Sequence, residues 1–345
     1  MRAASFIAAA VLAGSMLAAC VTRPAPREIL LSGQTMGSAW TVKLAGDLPM
    51  PAAELQAGIQ ARFDAVNQAL STWRPDSELS RFNADRSGEW RDVGTELAEV
   101  MGYALSLAEA SGGSYDITVG PLVNLWGFGP DPATRSVPDT AAIAAAKAHV
   151  GWRKVEVNAR EGRARKQPGV YVDLSSLGKG RGVDRVAEYL DAAGAANYLI
   201  DLSGKLRARG RNASGEFWRV AVERPGADVT SDTVQLAPLI VALRDESVAT
   251  AGDYRRFFET GGRHYSHIID PHSGEPVAHH TVSATALGAD CMEADALATV
   301  FLVMPPGAAL ELADRMRSRA LLIARDSEAF RLSASRAWTA AKLPL

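Results

Sequence analysis

Apolar residues Leu55, Ile59, Phe63, Val66 and Leu70 recur at spacings of three and four, so the chain over 51–70 predicts a helix with one buried face. A second helix is expected over 95–110, stopped by Ser111-Gly112-Gly113-Ser114, and an alanine-rich one over 140–149. Short β-branched or alternating runs at 154–157, 170–174, 198–202, 218–223, 239–243, 265–269 and 281–286 predict strands. Helices return over 293–304 and 308–317, and 320–324 predicts a buried closing strand. From 198 to 286 nearly every element is a strand, so helix and strand do not alternate as a parallel βαβ sheet requires. The expectation is an α+β fold with largely antiparallel sheets and packed helices.

The N-terminus breaks this pattern. Arg2 precedes an apolar, small-residue run over 3–19 that ends in Leu17-Ala18-Ala19-Cys20. The run is short for a permanent membrane span and reads as an export signal, with Cys20 in a lipobox-like position where its thiol would carry acyl chains. Residues 1–20 are thus expected to be a lipoprotein signal, 21–30 a proline-stiffened tether, and 31–345 the functional domain. With Cys20 acylated, Cys291 is left without a disulfide partner and is expected to pack as a small buried residue.

Composition adds an exclusion. The 345 residues are 47% hydrophobic with 37 basic against 39 acidic side chains, a net charge of -2 that gives no polyelectrolyte signal for nucleic acid.

Candidate chemistry lies in three places. In CMEADALATVFLV, Asp295 and Thr299 are one helical turn apart, so carboxylate and hydroxyl share a face and could hold a hard cation such as Mg²⁺. In YVDLSSLGKGRGVDR, Lys179 stands between Gly178 and Gly180; the spacing is not that of a P-loop, but Ser176-x-x-Lys179 matches the first signature of penicillin-recognising acyl enzymes. That signature should open a helix, whereas the apolar run before it places it after a strand. In HYSHIIDPHSGEP, alternation puts His267 with Tyr265 on one strand face and His264 with Ser266 on the other, ahead of a turn. Zinc at these histidines lacks a cysteine and a common face. Trp73 and Trp126 sit in turn contexts. Trp126 is expected to be core, while Trp73 can stack on a planar ligand or pack.

Taken in order, Gln34-Thr35-Met36-Gly37, Ser71-Thr72-Trp73, Ser77 to Asn83, Tyr115 to Leu122, Asp173 to Gly180, Gly252-Asp253-Tyr254, His267 to Gly274 and Ala294 to Thr299 resemble the ApbE family, the FAD:protein FMN transferases. The resemblance implies an ApbE-like (T-fold-like) architecture. It also implies an enzyme that moves the FMN half of FAD, its substrate, onto a Ser or Thr hydroxyl of a target protein and releases AMP, with Mg²⁺ as cofactor. By the same resemblance Asp295, Thr299 and the carbonyl of Ser176 match the metal ligands, and Asp295 is the candidate catalytic residue. Met36, Trp73, Ser114, Tyr115, Asp116, Asp173, Lys179, His267 and Ile268 match positions that contact the flavin dinucleotide. The resemblance points to an acceptor that is a membrane electron-transfer subunit, such as those of sodium-pumping or Rnf-type complexes, or a regulator of nitrous oxide respiration. The chain itself would be lipid-anchored on the periplasmic side of the inner membrane.

Two departures stand out. Asp201-Leu202-Ser203-Gly204-Lys205 replaces the usual Gly-Gly-Asp turn, and Ala251 stands where serine often precedes Gly-Asp-Tyr. FAD hydrolysis to FMN and AMP, non-catalytic flavin binding, and a Ser176 acyl enzyme are the alternative readings.

Overall fold

Met36 and Gly37 take positive φ (48° and 67°) and turn the strand Glu28–Thr35 back into Ser38–Ala45. Positive φ at both corners of a two-residue hairpin matches the right-handed twist of the strands it joins. Ser203 (φ 54°) and Gly204 (φ 81°) repeat the device between Tyr198–Leu202 and Lys205–Arg209, and Asp201 Oδ1 accepts a 2.8 Å hydrogen bond from the Gly204 N–H. Both hairpins belong to an eight-stranded sheet completed by Ser247–Gly252, Thr281–Gly288, Arg319–Asp326 and Ala329–Ala334. Each strand pairs antiparallel with the next in chain order. This is the antiparallel α+β architecture the sequence predicts, with the helices and the site loops carried on long excursions between successive strands. The computed structural model describes residues 28–129, 135–222, 239–253, 257–326 and 329–345.

The expected apolar stripe is buried along Ala52–Leu70: Leu55, Ile59, Phe63, Val66 and Leu70 all lie in the core. Leu55, Ile59 and Phe63 meet Val183, Val186 and Leu190 of the helix Gly178–Ala193, and both helices cover Trp40, Val42, Tyr198 and Ile200 of the sheet. At about 1.5–3 kcal/mol per fully buried large aliphatic or aromatic side chain, this layer is a principal source of stability. The helix Cys291–Val303 is buried on nearly every side, from Cys291 and Ala294 to Phe301 and Leu302. Cys291 packs there as a buried free thiol, and burial pushes its pKa well up, which suits packing and not reactivity. Trp126 is core as expected, stacked on Tyr265.

The structure departs from local expectations at several points. Residues 170–174 form no strand: the Val172 N–H and carbonyl are both taken by the Asn83 amide (2.8 Å each), and the Asp173 N–H goes to the Ile117 carbonyl. A side chain thus does the work of a neighbouring strand, which alternation cannot reveal. Lys179 lies in the first turn of the helix Gly178–Ala193, so Ser176-x-x-Lys179 does open a helix and the argument drawn from a preceding strand falls. The strand expected over 265–269 runs as Arg263–Ser266, and His267 leaves it before its side chain can alternate with Tyr265. Strand Glu28–Thr35 also starts inside the segment expected to be a tether. Cys20, the rest of the signal, residues 21–27, Glu223 and Tyr254 lie outside the described residues.

Candidate active site

The helix Cys291–Val303 reaches its place through its N-terminus. The residue before its first turn, Asp290, makes no side-chain cap; instead Asp184, from the helix Gly178–Ala193, accepts 2.8 Å hydrogen bonds from the N–H groups of both Cys291 and Met292. Asp184 is buried, and Arg207 donates to it at 2.6 Å while also reaching Asp290 at 3.0 Å. A negative charge facing a helix N-terminus is favourable both as a cap and against the dipole. The two helices touch where Gly180 allows it: a Cβ there would stand 2.5 Å from the Cys291 carbonyl oxygen and 2.7 Å from Met292 Cα. Close contact lets the Gly180 N–H donate to Asp295 Oδ2 at 3.1 Å.

A cavity of about 810 Å³ opens beside this contact, toward the upper end of the range of roughly 300–1,000 Å³ usual for small-molecule sites. All the residues matched to metal or flavin positions line it: Met36, Trp73, Ser114, Tyr115, Asp116, Asp173, Ser176, Lys179, His267, Ile268, Asp295 and Thr299. They come from the first hairpin turn, the loop after Ala52–Leu70, the loop after the helix Gly94–Ala110, the Lys179 helix start, the excursion before Thr281–Gly288, and the Asp295 helix.

Asp295 is only 2% exposed. Thr299 Oγ1 donates back to the Asp295 carbonyl at 3.2 Å, a bond that uses its proton and leaves its oxygen able to accept, and both residues line the cavity. Among the described residues no three His, Cys, Asp or Glu side chains gather as a metal cluster. A cation here would rest on one carboxylate, one hydroxyl and the Ser176 carbonyl, completed by water and phosphate oxygens. That donor set fits Mg²⁺, which commonly keeps waters and takes one or two carboxylates plus substrate phosphate.

The other wall is built by hydrogen bonds that fix loops. Tyr115, buried, shares a 2.8 Å hydrogen bond with Ser176 Oγ, and burial pushes its phenol far above the ordinary range, so it stays neutral. Asp116 lines the cavity, yet its carboxylate accepts from Thr118 N–H (2.7 Å), Thr118 Oγ1 (2.6 Å) and Trp152 N–H (2.8 Å). Burial raises its pKa against these bonds, and its evident work is to hold the loop that presents Tyr115. Asp173 Oδ1 accepts from Ser175 N–H at 2.8 Å, tightening the turn into the Lys179 helix. Trp73 is 60% exposed and lines the cavity, with its backbone N–H held by Ser71 Oγ at 3.1 Å, so a wide apolar ring stands at the cavity wall in solvent. His267 meets Phe128 edge-on with centroids 6.2 Å apart.

Sequence reasoning missed the two side chains that govern Asp295. Asp184 lies 107 residues from the Cys291 N–H it caps. Lys205, noted only as a departure, places Nζ 2.9 Å from Asp295 Oδ1 and 2.8 Å from the Thr250 carbonyl. The available signal was the hairpin turn at Ser203-Gly204, which fixes which way the next residue of the strand faces.

Known proteins with this fold define the class first. A flavin transferase ApbE from Vibrio cholerae superposes with TM-score 0.84 at 37% identity, covering 91% of this chain and 99% of that one. The apo form of the Pseudomonas stutzeri flavinyl transferase ApbE gives 0.83 at 34% identity, covering 91% and 96%. In sequence, the FAD:protein FMN transferase of Salmonella typhimurium is 38% identical over 333 residues, 96% of this chain and 94% of that protein. The ApbE family pattern matches residues 36–323, and the chain belongs to the ApbE family.

Proposed function

We propose that the protein transfers the FMN half of FAD to a Ser or Thr hydroxyl of a target protein, with AMP as the leaving group and Mg²⁺ as the cofactor. The observation that carries this reading is the convergence of every matched position on one cavity, with Asp295 and Thr299 on one helix turn beside the start of the Lys179 helix. The acceptor oxygen forms a bond to the FMN phosphorus, the bridging P–O bond breaks, AMP leaves with the bridging oxygen, and the acceptor proton passes to solvent. Phosphoryl transfer of this kind asks the protein mainly for positioning and charge compensation.

Each residue has a part in that task. Trp73 offers a face for a flat ring. Lys179, in the first helical turn, would set a positive charge toward the phosphates. Asp295, Thr299 and the Ser176 carbonyl would hold Mg²⁺, which when bound neutralises charge on the pyrophosphate. Tyr115 steadies Ser176 through its hydroxyl. Ser176 as an acyl-enzyme nucleophile is disfavoured because its hydroxyl is paired with neutral Tyr115, not with a base.

The lipobox-like pattern at Cys20 supports export and anchoring on the periplasmic side of the inner membrane. A membrane electron-transfer subunit of sodium-pumping or Rnf type would be reachable there. Loss of labelled palmitate incorporation in Cys20→Ser checks the anchor.

The assay mixes the full chain with FAD, Mg²⁺ and a candidate acceptor domain, and seeks flavin fluorescence on the acceptor after denaturation. Asp295→Asn should lower the transfer rate at least about 100-fold, a loss of roughly 3 kcal/mol of transition-state stabilisation, with FAD affinity falling by less, about ten-fold, through loss of the linked ion. Release of free FMN and AMP with no labelled acceptor would replace transfer by hydrolysis. Wild-type rates in Asp295→Asn would remove the carboxylate from the mechanism.

A further inference from the structure

The Lys205 ammonium stands among oxygens of the kind a metal cation would take, one of them on Asp295. The ammonium lies between Asp295 Oδ1 (2.9 Å) and the Thr250 carbonyl (2.8 Å), with the two side chains of the ion pair 13% and 4% exposed. Asp295 Oδ2 already accepts from the Gly180 N–H at 3.1 Å, so both carboxylate oxygens are engaged. The Ser203-Gly204 turn and the antiparallel register that opposes Lys205 to Ala249 fix the backbone position from which the lysine reaches Asp295, and its side chain is 13% exposed there. A divalent ion joining Asp295 must therefore share it with a tethered positive charge a few ångströms away, a repulsion that partial burial leaves poorly screened.

We propose that Lys205 makes divalent-cation binding at Asp295 conditional on the nucleotide. Without FAD the ammonium satisfies the buried carboxylate, and a divalent ion gains little by entering. With FAD bound, the phosphate charges offset the excess positive charge and supply further oxygen ligands, so ion and nucleotide bind together. Linkage makes the effect mutual: the ion tightens FAD by the factor by which FAD tightens the ion. The inference rests on the assignment of Asp295 as a cation ligand, and it adds the residue that couples the two ligands.

The test is a titration of the full chain in detergent with Mn²⁺, followed by electron paramagnetic resonance, with and without FAD. Wild type should bind Mn²⁺ at least about ten-fold more tightly with FAD than without. Lys205→Met should tighten Mn²⁺ binding in the absence of FAD by about ten-fold and shrink the FAD dependence to match, whereas Lys205→Arg, which keeps the charge, should behave as wild type. Lys205→Gln, able to donate to the Thr250 carbonyl, gives the same reading if Lys205→Met folds poorly. An FAD-linked Mn²⁺ site in wild type combined with unchanged or weaker FAD-free binding in both neutral variants overturns the role of Lys205 and leaves the cation site standing. No Mn²⁺ binding in wild type with FAD, or binding untouched by Asp295→Asn, overturns the cation site and this inference with it.

Discussion

Replacing Asp184 by alanine should detach the start of the helix that carries Asp295. The carboxylate accepts from two backbone N–H groups and from Arg207, and it stands in for a cap that Asp290 does not provide. Loss of a cap alone is worth about 0.5–2 kcal/mol. Breaking a buried ion pair by deleting one partner costs about 3–5 kcal/mol, chiefly because the other charge is left without compensation. Here Arg207 keeps Asp290, which is largely exposed, so the lower end applies and the terms overlap: about 3 kcal/mol in all is expected. Chemical denaturation of wild type and Asp184→Ala measures it, with Lys43→Ala, which removes an exposed pair to Glu28, as a control expected to change stability by less than about 1 kcal/mol. Asp184→Asn keeps one acceptor oxygen and should fall between. A loss below about 1 kcal/mol in Asp184→Ala would refute the anchoring argument. Normal stability with abolished FAD binding would instead make Asp184 a ligand contact, contrary to its position behind the helix start.

Trp73→Ala should leave stability within about 0.5 kcal/mol of wild type, since the ring is largely exposed, yet weaken FAD binding by about 1 kcal/mol, near five-fold, in a fluorescence titration. Gly180→Ala should destabilise by about 1–3 kcal/mol and weaken the Asp295 contact, because its methyl group meets the backbone of Cys291 and not a yielding side chain; a thermal melt reads the first effect and the transfer assay the second. Glu96 joins the helices Gly94–Ala110 and Gly178–Ala193 through Arg181 (2.5 Å) and Arg185 (2.9 Å). Burial pushes the Glu96 carboxyl up, but the hydrogen bonds and charges of the two guanidinium groups outweigh it and hold the pKa below the ordinary 4.5. A depressed acid stabilises the fold fully above 4.5 and loses that contribution as pH falls through the folded value. Glu96→Gln should therefore be less stable than wild type by about 1 kcal/mol at neutral pH, with the gap closing below pH 4.5; a gap independent of pH would sink this assignment.

Whatever depends on spacing within one element was readable from the residues. The stripe Leu55-Ile59-Phe63-Val66-Leu70 is buried as its period requires, and Asp295 and Thr299 do share a face because four residues return a helix to the same side. The antiparallel sheet was legible too, since a crowd of strands without crossover helices leaves few other solutions. What alternation cannot encode is a partner from far along the chain. Asn83 replaces a strand neighbour for Val172 across 89 residues, and Asp184 caps Cys291 across 107. The glycines around Lys179 disfavour a helix, because each lowers helix propensity by about 1 kcal/mol relative to alanine. They are tolerated because Gly180 lets the helix touch the next one, and packing recovers more than propensity removes. The same close approach brings a backbone N–H to Asp295, so the feature that hid the helix from a reading of the sequence is the one that seats the buried carboxylate at the cavity.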